Sequence, residues 1–176
     1  MSRVLLDACV LVPTLTRRMI LAAAGQSAFQ PLWSERILRE WRMAAAKSGP
    51  VAAMAVDGEI ALLNAQYPRA LVPLPNDLAI PELPDPDDRH VLGAAIAGEA
   101  DELLTFNTRD FPLRVLSQAG ILRRHPDEFL LECHEGCREI LKQVGEKAAH
   151  DFGSQPRKLL RKTQLPRLGK ALFERT

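Results

Sequence analysis

Pro84-Asp85-Pro86-Asp87-Asp88-Arg89-His90-Val91-Leu92-Gly93-Ala94-Ala95 is the stretch from which the rest of the chain is read. It has the form of a helix start. Asp85 suits an N-cap, Pro86 the first helical position, and acids in the first turn complement the helix dipole. Val91, Leu92, Ala95 and Ile96 follow at three- and four-residue spacing, the apolar stripe of a helix running to about Glu99. Carried back one turn, the stripe lands on Asp88, because positions 88, 91, 92 and 95 share a face. Asp87 projects about 100° away at roughly 3.6 residues per turn. One acid is therefore expected to enter the crevice beside the core. Capping alone accounts for the three acids as well, so the choice turns on acids elsewhere in the chain.

Arg3-Val4-Leu5-Leu6-Asp7 is an unbroken apolar run ending in an acid, the pattern of a strand buried on both faces of a parallel sheet. Asp7 then stands at the carboxyl end of a strand, where open α/β sheets bind ligands. The plainer role is a cap for the helix expected over Pro13–Ala24. Phe29–Trp33 reads as an edge or second strand, its proline disfavouring a central place. Ser34 caps a helix to about Lys47 with Ile37, Leu38, Trp41, Ala44 and Ala45 as its stripe. Glu40 lies on the flank of that stripe and needs a partner, for which Arg36 at i−4 is the simplest.

Residues 51–66 form a further helix, with Asp57-Gly58 as an expected interruption, and Ala70–Val72 is a short strand. A proline-rich loop, 73–86, leads into the Asp88 helix. Glu102–Phe106 is the next buried strand, and Asn107-Thr108-Arg109-Asp110-Phe111-Pro112 again clusters polar groups directly after it. A helix over Leu113–Gln118 and a last strand at Ile121-Leu122 complete the alternation. Strands alternating with helices through residues 3–122 point to an α/β fold with a mostly parallel sheet covered on both faces. Residues 1–124 form the expected core domain and 125–176 a helical C-terminal extension, with helices over 126–134, 137–150, 157–163 and 167–175.

A chain of 176 residues suits one domain with a modest extension. The apolar share is 47%, yet no run approaches the ~20 residues of a membrane span. The N-terminal run is too short before its first acid to read as a signal peptide. Three cysteines make no disulfide framework, so a reducing cytoplasm is expected. Charge is uneven: residues 138–176 carry ten Lys/Arg against four acids, and the remainder is net acidic. A basic tail can steer a polyanion, although a solvated helical face explains any single cation.

If Asp7, Glu40, Asp88 and Asp110 converge, like charges about 4 Å apart repel by several kcal/mol in a partly dry site. A divalent cation removes that cost. With no His or Cys expected beside the acids, oxygen-preferring Mg²⁺ or Mn²⁺ is favoured over Zn²⁺. No Ser-His-Asp set, glycine-rich phosphate loop or Cys-x-x-Cys competes. Cys133, His134 and Cys137 lack a second ligand pair and read as one helical turn. Trp33 and Trp41 are core or interface aromatics. His90 is expected to face solvent, and Arg89 and Arg109 to pair with Asp87 or Asp110 or to meet phosphate.

Val4-Leu5-Leu6-Asp7, Leu38-Arg39-Glu40-Trp41, Asp85–Leu92 and Leu104–Phe111 together resemble the four motifs of PIN-domain nucleases, in particular VapC-type toxins of bacterial toxin–antitoxin pairs. The resemblance spans residues 3–122 in order and spacing. It implies a three-layer α/β/α sandwich and a Mg²⁺- or Mn²⁺-dependent endoribonuclease in which metal-activated water leaves a 5′-phosphate and a 3′-hydroxyl. By position Asp7, Glu40 and Asp88 match the first three acids. Many members carry Asp where this chain has Asn107, so Asp110 is expected to supply the fourth charge and Asn107 to orient a ligand. Many relatives have Ser or Thr after the first acid where this chain has Ala8-Cys9, leaving Thr105 to serve in support. The tail resembles extensions in one branch of the family. An RNA substrate, an antitoxin partner and a homodimer are also implied. The rival is a catalytically weak PIN-like module that binds RNA or protein, supported by Asn107. A haloacid dehalogenase-type phosphatase is set aside because position 9 is Cys rather than Asp.

Overall fold

The computed structural model describes residues 1–174. Four short strands, β1 (Arg3–Leu6), β2 (Gln30–Leu32), β3 (Glu102–Leu104) and β4 (Leu122–Arg124), form one sheet in the order β2-β1-β3-β4. All neighbouring pairs are parallel. The apolar run of β1 is explained by its central place, where Val4, Leu5 and Leu6 are fully buried. Burying each such leucine contributes about 1.5–3 kcal/mol.

Between β1 and β2 lie α1 (Ala8–Leu11) and α2 (Thr14–Gly25). The chain then reverses direction through α3 (Glu35–Ala46), α4 (Pro50–Gln66) and α5 (Arg89–Ala97) to reach β3 on the other side of β1. Because β1 connects outward to β2 while β3 lies on its opposite side, the gap between the carboxyl ends of β1 and β3 is a topological switch point. Helix α6 (Leu113–Gln118) leads to β4, and α7 (Pro126–Asp151), α8 (Pro156–Lys162) and α9 (Pro166–Phe173) follow. Right-handed crossovers place α2 on one face and α5 and α6 on the other, a three-layer α/β/α arrangement. Helix α7 packs along α2, with Phe29 and Phe129 rings edge-to-face at 4.9 Å. Phe129, Leu130, Leu141, Leu160 and Leu168 belong to the same hydrophobic core as the strands. The tail is thus continuous with the sheet's core.

Several boundaries differ from the sequence expectations. Helix α4 passes through Asp57-Gly58 unbroken, since Ala53, Val56 and Leu63 stay packed and Arg42 pairs with Asp57 at 2.6 Å. Residues 70–72 contribute only a bridge, Leu71 to Trp33. The strand after α5 ends at Leu104, because the Thr105 hydroxyl takes the Asn107 N–H at 2.9 Å and turns the chain. The last strand runs Leu122–Arg124, and α5 ends at Ala97, before a left-handed Glu99 (φ 47°). The two helices expected over 126–150 are one. Gly136 interrupts nothing, and Gly145 lets the Phe173 ring approach within 2.9 Å of where a Cβ would stand. Helix α9 stops at Phe173, and Arg175 of the helix expected over 167–175 lies outside the described residues. Among the described residues no helix is long and apolar enough to cross a membrane.

Candidate active site

Asp7 follows β1 directly and is 6% exposed. Its Oδ2 accepts from the Thr105 hydroxyl at 2.7 Å and from the Cys9 thiol at 3.0 Å. Thr105 follows β3, so its bond ties the ends of the two central strands together across the switch point, while the Cys9 bond is local to the start of α1. Burial and the neighbouring Asp7 push the Cys9 thiol up to about 12, which keeps it a donor. Cys9 Sγ in turn accepts the Phe106 N–H at 3.2 Å. Position 9 therefore supplies a donor to Asp7, although it lacks the hydroxyl that the resemblance led us to expect. Thr105 and Cys9 act on the same oxygen.

Asp85, Pro86, Asp87 and Asp88 are read correctly as a helix entry, but the turn over Pro86–Asp88 is a 3₁₀ turn, with α5 starting at Arg89. Asp85 caps it, accepting the Asp87 N–H at 2.9 Å. The turn brings Asp85, its extended cap, back beside Asp88, whose N–H donates to the Asp85 carbonyl at 3.2 Å. Carboxylate oxygens of Asp85, Asp88 and Asp110 all lie within 4.8 Å of one another. Asp87 is exposed, as its phase on the helix predicts. Asp85, read from sequence only as a cap, is the acid that the apolar stripe missed; its place three residues before Asp88 carried the signal.

Asp88 is half-buried, and its Oδ2 is buried without a hydrogen-bond partner. Burial, then the charges of Asp7, Asp110, Asp85 and Glu40, raise its carboxyl from 3.8 to about 6. Asp88 thus senses every acid singled out from sequence, although Asp7 and Glu40 stand outside the tight trio of carboxylates. Asn107 Nδ2 donates to Asp110 Oδ2, so the two candidates for the fourth position act as a pair.

Glu40 has two partners rather than one. Arg36 Nε is 3.4 Å away, as its i−4 position suggests, and His90 Nε2 lies 2.8 Å from Oε1. His90 was expected to face solvent. It is 6% exposed instead, because the 3₁₀ entry rotates it from the outer face of α5 towards α3. Burial, with the Arg36 charge beside it, pushes its imidazole down to about 4. Neutral His90 then donates from Nε2 to Glu40. Arg36 also donates to the Asp87 carbonyl at 3.4 Å, joining α3 to the acidic turn. Arg89 is engaged by the Ile80 carbonyl at 2.9 Å rather than by Asp87, and Arg109 is exposed.

The family model described as PIN domain matches residues 3–109. The chain belongs to the PIN-domain family. Its PIN match begins with β1 and ends inside the loop carrying Asn107 and Asp110, so it contains the strand ends and the acidic turn just described. A Mycobacterium tuberculosis protein named "Putative ribonuclease VapC50" is 40% identical over 57 residues, which cover 32% of this chain and 34% of that protein. The match thus spans about a third of that relative's length. No solved structure matches this PIN-domain chain at a significant level.

One sequence reading outside the acids is settled by packing. Trp33 and Trp41 are core residues: Trp33 Nε1 donates to Asn64 at 2.9 Å, and Trp41 lies under the Arg17 guanidinium at 4.5 Å. Cys133, His134 and Cys137 sit within α7 and assemble no metal-ligand group among the described residues; burial raises the Cys133 thiol to about 11.

Proposed function

We propose that this protein is a dication-dependent endoribonuclease, the toxin component of a type II toxin–antitoxin pair acting in the cytoplasm. The single observation that carries the reading is Asp88 Oδ2. A buried carboxylate oxygen with no donor, among Asp85, Asp110, Asp7 and Glu40, is costly unless a cation completes it. The donor set consists of carboxylates and one amide, which suits Mg²⁺ or Mn²⁺. In support stand the PIN-domain match and the ribonuclease name of the Mycobacterium tuberculosis relative.

Asp7, Glu40, Asp88 and Asp110 would hold the ion, with Asp85 adding charge at the rim and Asn107 orienting Asp110. When bound, the ion supplies acidification of an attacking water and charge neutralisation at the phosphodiester. Asp7 is limited to its Oδ1 for that purpose, since Oδ2 is taken by Thr105 and Cys9. His90 and Arg36 fix the carboxylate of Glu40. Residues 1–124 form the nuclease domain and 125–176 an extension that shares its core. An antitoxin partner and a homodimer complete the proposal.

The rival reading, a PIN-like module that binds without cleaving, rested on Asn107. Asn107 is hydrogen-bonded to Asp110, whose carboxylate lies beside Asp85 and Asp88, so the site keeps its negative charge. Purified protein incubated with RNA in Mn²⁺ should cleave it, and EDTA or Asp7→Ala should stop cleavage. Cleavage that persists in EDTA and in both Asp7→Ala and Asp88→Ala variants would refute the reading.

A further inference from the structure

The acidic site poses a problem for a nuclease, because RNA is a polyanion. The tail offers the compensating charge. Gln155, Arg157, Lys158, Arg161, Pro166 and Lys170 line a concavity of about 390 Å³ between α8 and α9. Arg157 and Lys170 share a single carboxylate, Glu174, at 3.5 and 3.6 Å. Lys158 and Arg161 form no ion pair among the described residues. They lie three residues apart on one short helix, where like charges repel. Four cations around one hollow, only two of them near a carboxylate, make a receptor for anionic oxygens.

One rim of the hollow is tied to the end of the sheet that carries the acids. Strand β4 runs parallel to β3, and the Thr105 N–H donates to the Arg124 carbonyl at 3.1 Å. The next residue, His125, sets its ring edge-on to Phe106 at 5.2 Å, one position before Asn107. Asp127, 3% exposed, then accepts the N–H groups of Arg167 and Leu168 at 3.0 and 2.9 Å. Those amides open α9, directly after Pro166 of the hollow. A continuous chain of bonded groups thus leads from the Thr105–Asn107 loop to one rim of the basic concavity.

We propose that the concavity between α8 and α9 is a phosphate-binding subsite for the RNA backbone, holding substrate at a distance from the bond that is cut. This rests on the nuclease reading given above. Lys158 and Arg161 are its principal phosphate contacts, with Arg157 and Lys170 sharing the remaining charge. Such contacts position the strand and carry no base information. They favour RNA over an acidic protein segment because five of the six lining residues end in a charged or amide group and none is a large apolar side chain that could anchor a peptide.

The test is binding and cleavage of one fluorescein-labelled single-stranded 20-mer RNA by the full chain. The Lys158→Gln/Arg161→Gln double variant is compared with Lys142→Gln/Lys147→Gln, which removes the same charge from the exposed side of α7. Thermal melts confirm that both variants are folded. In EDTA, the first variant should bind about tenfold more weakly. Its slope of log affinity against log salt should be shallower by about 1.4, the value for two phosphates on a single strand. The control should stay within twofold of wild type. In Mn²⁺ the first variant should raise KM about tenfold and leave kcat unchanged. Equal weakening by both variants would overturn the subsite, as would wild-type binding by the first. Displacement of the RNA by polyglutamate of equal charge would assign the hollow to an acidic protein and likewise overturn it. RNA binding that depends on Lys158 and Arg161, with no cleavage by wild type, would keep the subsite and remove the nuclease reading instead.

Discussion

The Thr105 hydroxyl donates to Asp7 Oδ2 at 2.7 Å, joining residues that follow different strands and lie 98 positions apart. It also receives the Asn107 N–H, so one buried oxygen holds the first acid and aims the loop that carries Asn107 and Asp110. Thr105 is fully buried. Thr105→Val keeps the shape but leaves the Asn107 amide without its acceptor. We expect a loss of about 1–3 kcal/mol in urea unfolding and a fall in cleavage of about 10–100-fold. Thr105→Ser should recover most of both.

His90 extends the same logic to the third layer. Neutral at pH 7, it donates from Nε2 to Glu40, the acid that α3 places beside the acidic turn. His90→Leu should lower kcat/KM on RNA about 10–100-fold, the usual effect of losing a group that orients a ligand carboxylate. His90→Gln retains a donor and should recover part of that activity. An unchanged rate in His90→Leu, measured on a protein with a wild-type melt, would mean that Arg36 alone suffices.

The pH dependence of the metal-free protein follows from Asp88. Its carboxyl is raised from 3.8 to about 6 in the folded state, so the native protein holds the proton more tightly than the unfolded chain does. Its stabilising contribution is complete below about pH 4 and is lost as pH rises towards 6. Asp88→Asn removes that loss. In EDTA, the melting temperature of Asp88→Asn should therefore gain on wild type between pH 4 and 6 and stay higher at pH 7. A difference independent of pH would contradict this.

Arg17 supplies a purely structural prediction. It is 4% exposed, stacks over Trp41, pairs with Glu59 at 2.9 Å and caps α1 through the Leu11 carbonyl at 2.6 Å. Arg17→Ala should cost about 2–3 kcal/mol by urea unfolding, below the range for a fully buried pair because Glu59 is half exposed. Glu59→Gln, which keeps the hydrogen bond, should cost less.

What the sequence revealed, and what it did not, divides along range. Apolar runs and turn residues act locally, so the strand over Arg3–Leu6, the Ser34 cap and the helix over Leu113–Gln118 were legible. The placing of Asp7 and of the Asn107–Asp110 loop at the carboxyl end of the sheet followed from their positions after buried strands, whereas Thr105, read inside its strand, entered the site only through the family resemblance. Local geometry that depends on a distant partner was not legible. The 3₁₀ entry before Arg89 rotates His90 inward, and only the position of Glu40 on α3 makes that burial favourable. Asp85 was hidden by its adequacy as a cap. Gly136 looked like a break in α7, but the long packing of that helix against α2 overrides the weak propensity cost of one glycine.

The most direct measurement is titration of Mn²⁺ into the apo protein by calorimetry, with Asp88→Asn beside wild type at pH 7. Wild type should bind the ion with release of part of a proton, since Asp88 titrates near 6, and Asp88→Asn should weaken that binding at least tenfold. Wild-type protein that binds no Mn²⁺ at millimolar concentration, or an Asp88→Asn variant that binds it as tightly as wild type, would contradict the assignment of these acids to a metal.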